Sequence, residues 1–136
     1  MGLSKDREGG TPVEILVVDD DAILRDLVAD WLEGAGYQVQ KAANCSHAIG
    51  AVTRRAPALI VTDMFMPGAC GAAAIAELKR AHPGIALIAL SGHFSSGQGL
   101  SAEAAISAGA ERAFAKPVKR ADLLQAVAEL LGPPDQ

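Results

Sequence analysis

The sequence ILVVDDD occupies residues 15–21, so an apolar run leads directly into three carboxylates. A short, continuously apolar run of this kind favours a strand that is buried on both faces. The residues that follow place apolar side chains on one helical face, at Leu24, Leu27, Val28, Trp31 and Leu32. We expect that face to pack in the core, so the stretch predicts a buried strand followed at once by an amphipathic helix.

The same alternation of strand and helix continues along the chain. Strands are predicted at residues 13–18, 37–41, 58–62, 85–90 and 113–115. The helices between them are delimited by the caps and stops expected of helices, among them Asp20 or Asp21, Asn44, Pro57 and Gly109. Right-handed crossovers and short connections then favour an α/β fold, a flavodoxin-like doubly wound five-stranded parallel sheet in the order 2-1-3-4-5 with five helices.

The length of 136 residues fits one domain. We expect a folded unit at residues 13–132, with residues 1–12 as a flexible N-terminal segment and 133–136 as a tail, because both ends are polar and rich in glycine or proline. Half of the residues are hydrophobic and 21% are charged, so the chain can bury a core.

Charge and hydropathy exclude two classes of partner. The net charge is −4 and a basic patch is lacking, which argues against direct binding of nucleic acid. The sequence also lacks an apolar run of about 20 residues, so we expect no membrane span and a cytoplasmic protein. Cys45 and Cys70 have neither metal-ligand spacing nor the density of a disulfide scaffold, and we expect both to be reduced packing residues.

Polar residues stand where the apolar runs end. Asp19, Asp20 and Asp21 follow the first predicted strand, Asp63 the third, Ser91 the fourth and Lys116 the fifth. In a parallel sheet these ends meet at one edge, where ligands bind. Carboxylates crowded there repel one another unless a cation offsets their charge, and oxygen ligands that leave room for water and phosphate favour Mg²⁺.

Four sequence motifs resemble those of receiver domains of two-component signalling systems. They are residues 15–21, residues 61–64 together with Met66-Pro67-Gly68 and Gly71, residues 90–92, and residues 115–117. Each motif is weak alone, but four in the correct order, each at a predicted strand end, form a specific signal. The resemblance covers nearly all of the predicted folded unit.

The resemblance implies a role for each of these positions. Asp63 would accept the phosphoryl group, Ser91 would donate a hydrogen bond to it, and Lys116 would pair with it. Mg²⁺ would bind to Asp63, Asp20 and the backbone carbonyl of Phe65, and to Asp19 through water. Taken singly, each side chain could be an ordinary polar residue at a strand end, and the aspartates could merely cap a helix.

Three features depart from the usual receiver pattern. Ala113 occupies the place of the aromatic residue that usually precedes the lysine by three positions, and Phe114 is predicted on the opposite side of the strand. Phe65 is bulky where many receivers are polar. The segment 92–99, which begins at Gly92, is rich in glycine and serine and is predicted to be mobile. We also predict a cis peptide bond between Lys116 and Pro117.

The leading hypothesis is a phosphorelay receiver that accepts a phosphoryl group from a histidine kinase or a phosphotransfer protein and signals to an output protein by contact. It would catalyse only its own phosphorylation and dephosphorylation, and would not be a metabolic enzyme. One alternative is a receiver-like module that binds or dimerises without phosphorylation. Another is a small hydrolase with an aspartyl-phosphate intermediate, although neither a second acid or base nor a substrate cap is visible. The sequence leaves a homodimer open.

Overall fold

The computed structural model describes residues 13–63, 72–91, 106–107 and 109–132. The described elements, in chain order, are β1 (Glu14–Val18), α1 (Ala22–Gly34), β2 (Gln38–Ala42), α2 (Cys45–Arg54), β3 (Leu59–Asp63), α3 (Ala72–Ala81), β4 (Ala86–Ser91), β5 (Arg112–Ala115) and α4 (Arg120–Leu131). Each predicted strand is confirmed to within a residue or two at its ends.

The five strands form one parallel sheet in the order β2-β1-β3-β4-β5, as predicted. Its register aligns the carboxyl ends of neighbouring strands, since Val18 pairs with Thr62, and Asp63 pairs with Leu90. Four helices longer than one turn lie within the described residues. The additional helix expected before β5 falls mostly outside them, although Ile106 and Ser107 are helical.

Two apolar cores cover the two faces of the sheet. The first, which we call the α2/α3 core, packs Ala48 and Val52 of α2 and Ile75 of α3 against alternate residues of the strands. The second, the α1/α4 core, packs Val28 and Leu32 of α1 with buried residues of α4 on the other face. Side chains alternate between faces along a strand, so each strand contributes to both cores.

The predicted apolar face of α1 is confirmed except at one position. Val28 and Leu32 are almost fully buried, and Leu24 and Trp31 are partly buried against the α1/α4 core. Leu27 is 44% exposed, so its assignment to the core was wrong. The apolar stripe is wider than the strip of the sheet that α1 covers, and Leu27 lies beyond the covered part with the exposed Ile23.

The predicted helix caps are present. The Asp21 carboxylate accepts hydrogen bonds from the backbone N–H groups of Ile23 and Leu24, and the Asn44 side chain accepts one from His47 N–H. Both side chains satisfy donors that the first turn of a helix leaves without a partner. The β1–α1 and β2–α2 connections are therefore fixed by their own sequences, which matters because both border the edge where the carboxylates lie.

The expectation of a reduced Cys45 was wrong. Cys45 is the first residue of α2 and is disulfide-bonded. The spacing of the cysteines along the chain does not exclude a disulfide, because a disulfide requires only that two sulfur atoms meet in space.

Among the described helices, none combines the length and the apolar character that crossing a membrane requires.

Candidate functional site

Two buried carboxylates mark the edge at which the strands end. Asp63 is the last residue of β3 and Asp19 directly follows β1, and they are 4% and 3% exposed. The apolar residues before each aspartate pack in the core and fix the position of the strand. Each carboxylate therefore lies at the end of the sheet with little exposure to water. Burial of charged groups is unfavourable unless they are paired.

Lys116 supplies the pairing. Its ammonium Nζ lies 2.8 Å from Asp63 Oδ2 and 3.0 Å from Asp19 Oδ2. Lys116 follows β5, and β4 lies between β5 and β3, so the lysine reaches across one strand to bind both carboxylates. Burial by itself lowers the pKa of Lys116, but the hydrogen bonds that its ammonium donates to Asp63 and Asp19 and the attraction of their charges outweigh it and raise the pKa. The lysine is therefore a cation at neutral pH.

A third carboxylate completes the cluster. Asp20 is exposed, and one carboxylate oxygen from each of Asp19, Asp20 and Asp63 lies within 4.8 Å of the others. Lys116 is bound to Asp19 and Asp63, and Asp20 adds a third carboxylate to this edge. Oxygen ligands alone, with one of them open to solvent, fit a hard divalent cation that retains water ligands, and they fit Mg²⁺ better than zinc.

Backbone contacts hold the β1–α1 turn that presents these carboxylates. Asp19 N–H donates to the Ala42 carbonyl at 3.1 Å, and Asp19 Oδ1 accepts from Asp21 N–H at 2.9 Å. Arg25 Nη1 donates to the Asp19 carbonyl at 2.9 Å. Arg25 was not among the predicted site residues, although its position four residues after Asp21 places it on the same side of α1 and could have indicated it.

The other predicted site positions are only partly described. Ser91 is the last residue of β4 and pairs with Ala115, so its backbone lies at the same edge as Asp63. Phe65 and Gly92 lie outside the described residues. Pro117 is exposed and its bond to Lys116 is cis, which confirms the predicted isomer.

The prediction that Phe114 lies on the opposite side of the strand from Ala113 is confirmed. Ala113 packs against the α2/α3 core, whereas Phe114 packs against the α1/α4 core on the opposite face of the sheet. The aromatic ring next to Ala113 in sequence therefore cannot take its place, because neighbouring residues of a strand point to opposite faces.

A groove among the described residues lies away from this edge. It encloses about 400 Å³ between α2 and α3, and its lining includes Ile49, Val52, Leu78 and His82. These residues lie toward the C-terminal ends of the two helices, away from the carboxyl ends of the strands. None of the predicted site residues within the described part of the chain lines this groove, so it is separate from the acidic cluster.

Comparison with known proteins agrees with this fold. Residues 15–128 match the family described as response regulator receiver domain. The nitrogen assimilation regulatory protein NtrX of Azorhizobium caulinodans is 35% identical over 118 residues, which are 85% of this chain and 25% of that protein. The chain spans 36% of TcrX of Mycobacterium tuberculosis and 29% of PhoB of Pseudomonas aeruginosa, so it corresponds to only a part of these regulators.

Two solved structures of response regulators are similar to this chain in fold and sequence. The receiver domain of NtrX from Brucella abortus has a TM-score of 0.77 and 34% identity, over 86% of this chain and 97% of that one. A response regulator from Burkholderia pseudomallei, solved with a phosphorylated aspartic acid and a calcium ion, has a TM-score of 0.72 and 27% identity, over 87% of this chain and 66% of that one. The family match, the strand order and the acidic edge agree, and this chain belongs to the response regulator receiver domains of two-component signalling.

Proposed function

We propose that this chain is a phosphorelay receiver that takes a phosphoryl group from a histidine kinase or a phosphotransfer protein onto Asp63. The observation that carries the proposal is the placement of the Asp63 carboxylate at the end of a buried strand, 2.8 Å from the Lys116 ammonium and beside Asp19 and Asp20. The folded receiver would span residues 13–132, with residues 1–12 and 133–136 as flexible ends, and would act in the cytoplasm.

The chemistry proposed is attack by a carboxylate oxygen of Asp63 on phosphorus. A bond forms between that oxygen and phosphorus while the bond to the donor nitrogen or oxygen breaks, and the donor leaves with the electron pair. Asp63 is held by β3 and buried, so its carboxylate is already placed before a donor arrives. Lys116 would move its hydrogen bond from Asp63 to a phosphoryl oxygen, and the Ser91 hydroxyl would donate another.

The acidic cluster would hold Mg²⁺. Asp20 and Asp63 would be direct ligands together with the Phe65 carbonyl, and Asp19 would act through water. The ion supplies a positive charge that offsets the charge of the phosphoryl oxygens. The donor set supports this assignment, since the three carboxylates lie within 4.8 Å of one another. The related regulator from Burkholderia pseudomallei, with its phosphorylated aspartic acid and calcium ion, supports the same chemistry.

The signal would leave the site by protein contact. Phosphorylation would draw Ser91 toward the phosphoryl oxygens and shift Gly92, while Pro117 fixes the turn after Lys116. Ala113 offers only a methyl group, so the response would not use an aromatic ring at that position. The output protein would receive the change through the surface near residues 92–107, and the receiver itself would not contact DNA.

The alternative is a receiver-like module that binds or dimerises without phosphorylation. This alternative predicts that the binding of a partner is unchanged when Asp63 is replaced. A complete set of three carboxylates and one lysine at one edge favours the phosphorelay, because a passive scaffold gains nothing from burying Asp19 and Asp63.

Intact-mass measurement with a small-molecule phosphodonor tests the proposal. Wild-type protein should gain one phosphoryl group in Mg²⁺ and none with a chelator. Asp63→Asn should gain none, whereas the matched control Asp30→Asn, an exposed position on α1, should behave as wild type. Phosphorylation of Asp63→Asn at the wild-type rate would contradict the assignment.

A further inference from the structure

The guanidinium of Arg25 contacts the acidic cluster through the backbone. Arg25 Nη1 donates to the Asp19 carbonyl oxygen at 2.9 Å. We propose that Arg25 is a positioning residue for the Mg²⁺ site, which holds the peptide between Asp19 and Asp20 so that the Asp20 carboxylate faces the other two. The effect on Mg²⁺ rests on the proposed function, whereas the restraint on the turn is independent of it.

The restrained carbonyl belongs to the peptide unit that joins Asp19 to Asp20. A peptide unit is planar, so a hydrogen bond to its oxygen also restrains the nitrogen and the Cα atom of Asp20. Asp20 is exposed and lies beyond the end of β1, whereas Asp63 is the last residue of β3 and is held by the sheet. The position of the Asp20 carboxylate therefore depends on contacts within the turn.

Asp19 has a partner at each of its polar atoms. Its N–H donates to the Ala42 carbonyl, Oδ1 accepts from Asp21 N–H, and Oδ2 accepts from Lys116 Nζ. The remaining atom is the carbonyl oxygen, to which Arg25 donates. Without Arg25, the N–H and the carboxylate of Asp19 keep their partners, so the loss falls on the peptide that follows.

The helix α1 gives the guanidinium a fixed origin. Val28 and Leu32 are buried and hold α1 on the sheet, and Arg25 N–H donates to the Asp21 carbonyl at 2.8 Å in the first turn. Arg25 Nε is buried and has no hydrogen-bond partner among the residues that the structure describes. A buried donor without an acceptor is unfavourable, so stability of the fold alone does not account for the placement of this side chain.

Arg25 and Lys116 are both cations, but they bind different kinds of atom. Lys116 Nζ binds carboxylate oxygens of Asp19 and Asp63, whereas Arg25 binds a backbone oxygen. A cation that contributed only its charge would weaken Mg²⁺ binding, and its removal would strengthen that binding. A cation that positions the metal ligands has the opposite effect, so the sign of the change in Mg²⁺ affinity distinguishes the two roles.

Titration calorimetry with Mg²⁺ tests the proposal. Arg25→Met retains an unbranched apolar side chain without donors, and it should bind Mg²⁺ about tenfold more weakly than the wild type, as is typical when a group that orients metal ligands is lost. Arg25→Lys retains a cationic donor and should bind Mg²⁺ more tightly than Arg25→Met. The matched control Arg54→Met removes an exposed cation at the last residue of α2 and should behave as wild type.

Three results of the titrations would overturn the proposal. The first is equal or tighter Mg²⁺ binding by Arg25→Met, which would show that the guanidinium acts only through its charge or not at all. The second is binding by Arg25→Lys that is no tighter than binding by Arg25→Met. The third is the same loss of affinity in Arg54→Met, which would show an effect of net charge.

Amide hydrogen exchange without Mg²⁺ provides a second readout, which does not depend on the proposed function. The hydrogen bond from Asp21 N–H to Asp19 Oδ1 spans the restrained peptide, so this amide should exchange faster in Arg25→Met than in the wild type. Unchanged exchange at Asp21 would overturn the restraint. Lack of Mg²⁺ binding by the wild type would contradict the proposed function, while the exchange rates still decide whether Arg25 holds the turn.

Discussion

The Lys116 ammonium lies 2.8 Å from Asp63 Oδ2, although 53 residues and one intervening strand separate the two side chains. The same ammonium binds Asp19 at 3.0 Å, so it offsets the charge of two buried carboxylates. A metal ion approaching the cluster meets carboxylate oxygens that are already engaged. Lys116 should therefore oppose metal binding before phosphorylation and stabilise the phosphoryl group afterwards.

Replacing Lys116 should separate these two effects. Lys116→Ala removes the ammonium that binds Asp19 and Asp63, so Mg²⁺ should bind more tightly than in the wild type, because the ion no longer competes with that ammonium for the carboxylates. The variant should still be phosphorylated but should transmit the signal poorly. Calorimetry measures the Mg²⁺ affinity, and intact-mass measurement shows whether the variant is phosphorylated. Weaker Mg²⁺ binding in a folded Lys116→Ala variant would contradict this account of the lysine.

Asp20 and Asp21 are neighbours with different predicted roles. Asp20→Asn should weaken Mg²⁺ binding and leave the free energy of unfolding nearly unchanged, because its exposed carboxylate faces the cluster. Asp21→Ala should leave the Mg²⁺ affinity nearly unchanged and lower the free energy of unfolding by about 1 kcal/mol, since the Asp21 side chain caps α1. Urea unfolding and Mg²⁺ titration of both variants check the crossed pattern, and equal effects of the two variants on metal affinity would refute it.

Tyr37 predicts a dependence of stability on alkaline pH. Its hydroxyl donates to the Gly132 carbonyl at 3.1 Å, and burial raises the pKa of Tyr37 above its usual value of 10.0. The unfolded chain then loses its phenol proton before the folded chain does, so this contribution to stability is present below about pH 10 and is lost as the pH rises through the folded-state pKa.

Tyr37→Phe should cost about 0.5 to 1.5 kcal/mol at neutral pH, because the Gly132 carbonyl loses its donor. The difference in unfolding free energy between wild type and variant should shrink as the pH rises beyond about 10. Urea titrations of both proteins at several alkaline pH values measure this difference in unfolding free energy. A difference that stays constant or grows with pH would show that Tyr37 does not titrate as described.

A half-buried ion pair fixes the start of β4. Lys79 Nζ donates to Glu111 Oε2 and to the Ile85 carbonyl, each at 2.7 Å, and Glu111 Oε1 accepts from Leu87 N–H at 2.7 Å. Glu111→Ala would leave a backbone donor and an ammonium without this partner, and should cost about 1 to 3 kcal/mol in unfolding free energy.

The exposed pair between Arg112 and Glu129 provides the matched control. Its side chains are 39% and 50% exposed, compared with 20% and 31% for Lys79 and Glu111. Glu129→Ala should cost at most about 1 kcal/mol, because water screens an exposed pair. Urea unfolding of both alanine variants gives the comparison, and a larger loss for Glu129→Ala would be inconsistent with the burial argument.

The route of the signal can be followed by hydrogen exchange with and without beryllofluoride, a phosphoryl mimic. Because Ala113 cannot act as an aromatic switch, protection should increase within residues 92–107, where glycines can take up large backbone changes. The face formed by α1 and α4 serves as the internal reference. Changes confined to that face would place the output surface there instead.

The sequence by itself determined the alternation of strands and helices and the residues at the strand ends. Apolar runs such as residues 15–18 and caps such as Asp21 and Asn44 act locally, so their effect on the backbone is visible without knowledge of distant contacts. The four motifs then indicated the family, because each one stands where a predicted strand ends.

Only the tertiary structure decided which distant atoms meet. The bridge from Lys116 to Asp19 and Asp63 depends on the order of the strands and on the register that aligns their ends. The contact of Arg25 with the Asp19 carbonyl depends on how α1 sits over that edge. The spacing of apolar residues along α1 predicts which face of the helix is apolar. The extent of the surface that packs against this face decides whether a residue such as Leu27 is buried. The disulfide at Cys45 has the same origin, since chain folding, and not sequence spacing, brings two sulfur atoms within bonding distance.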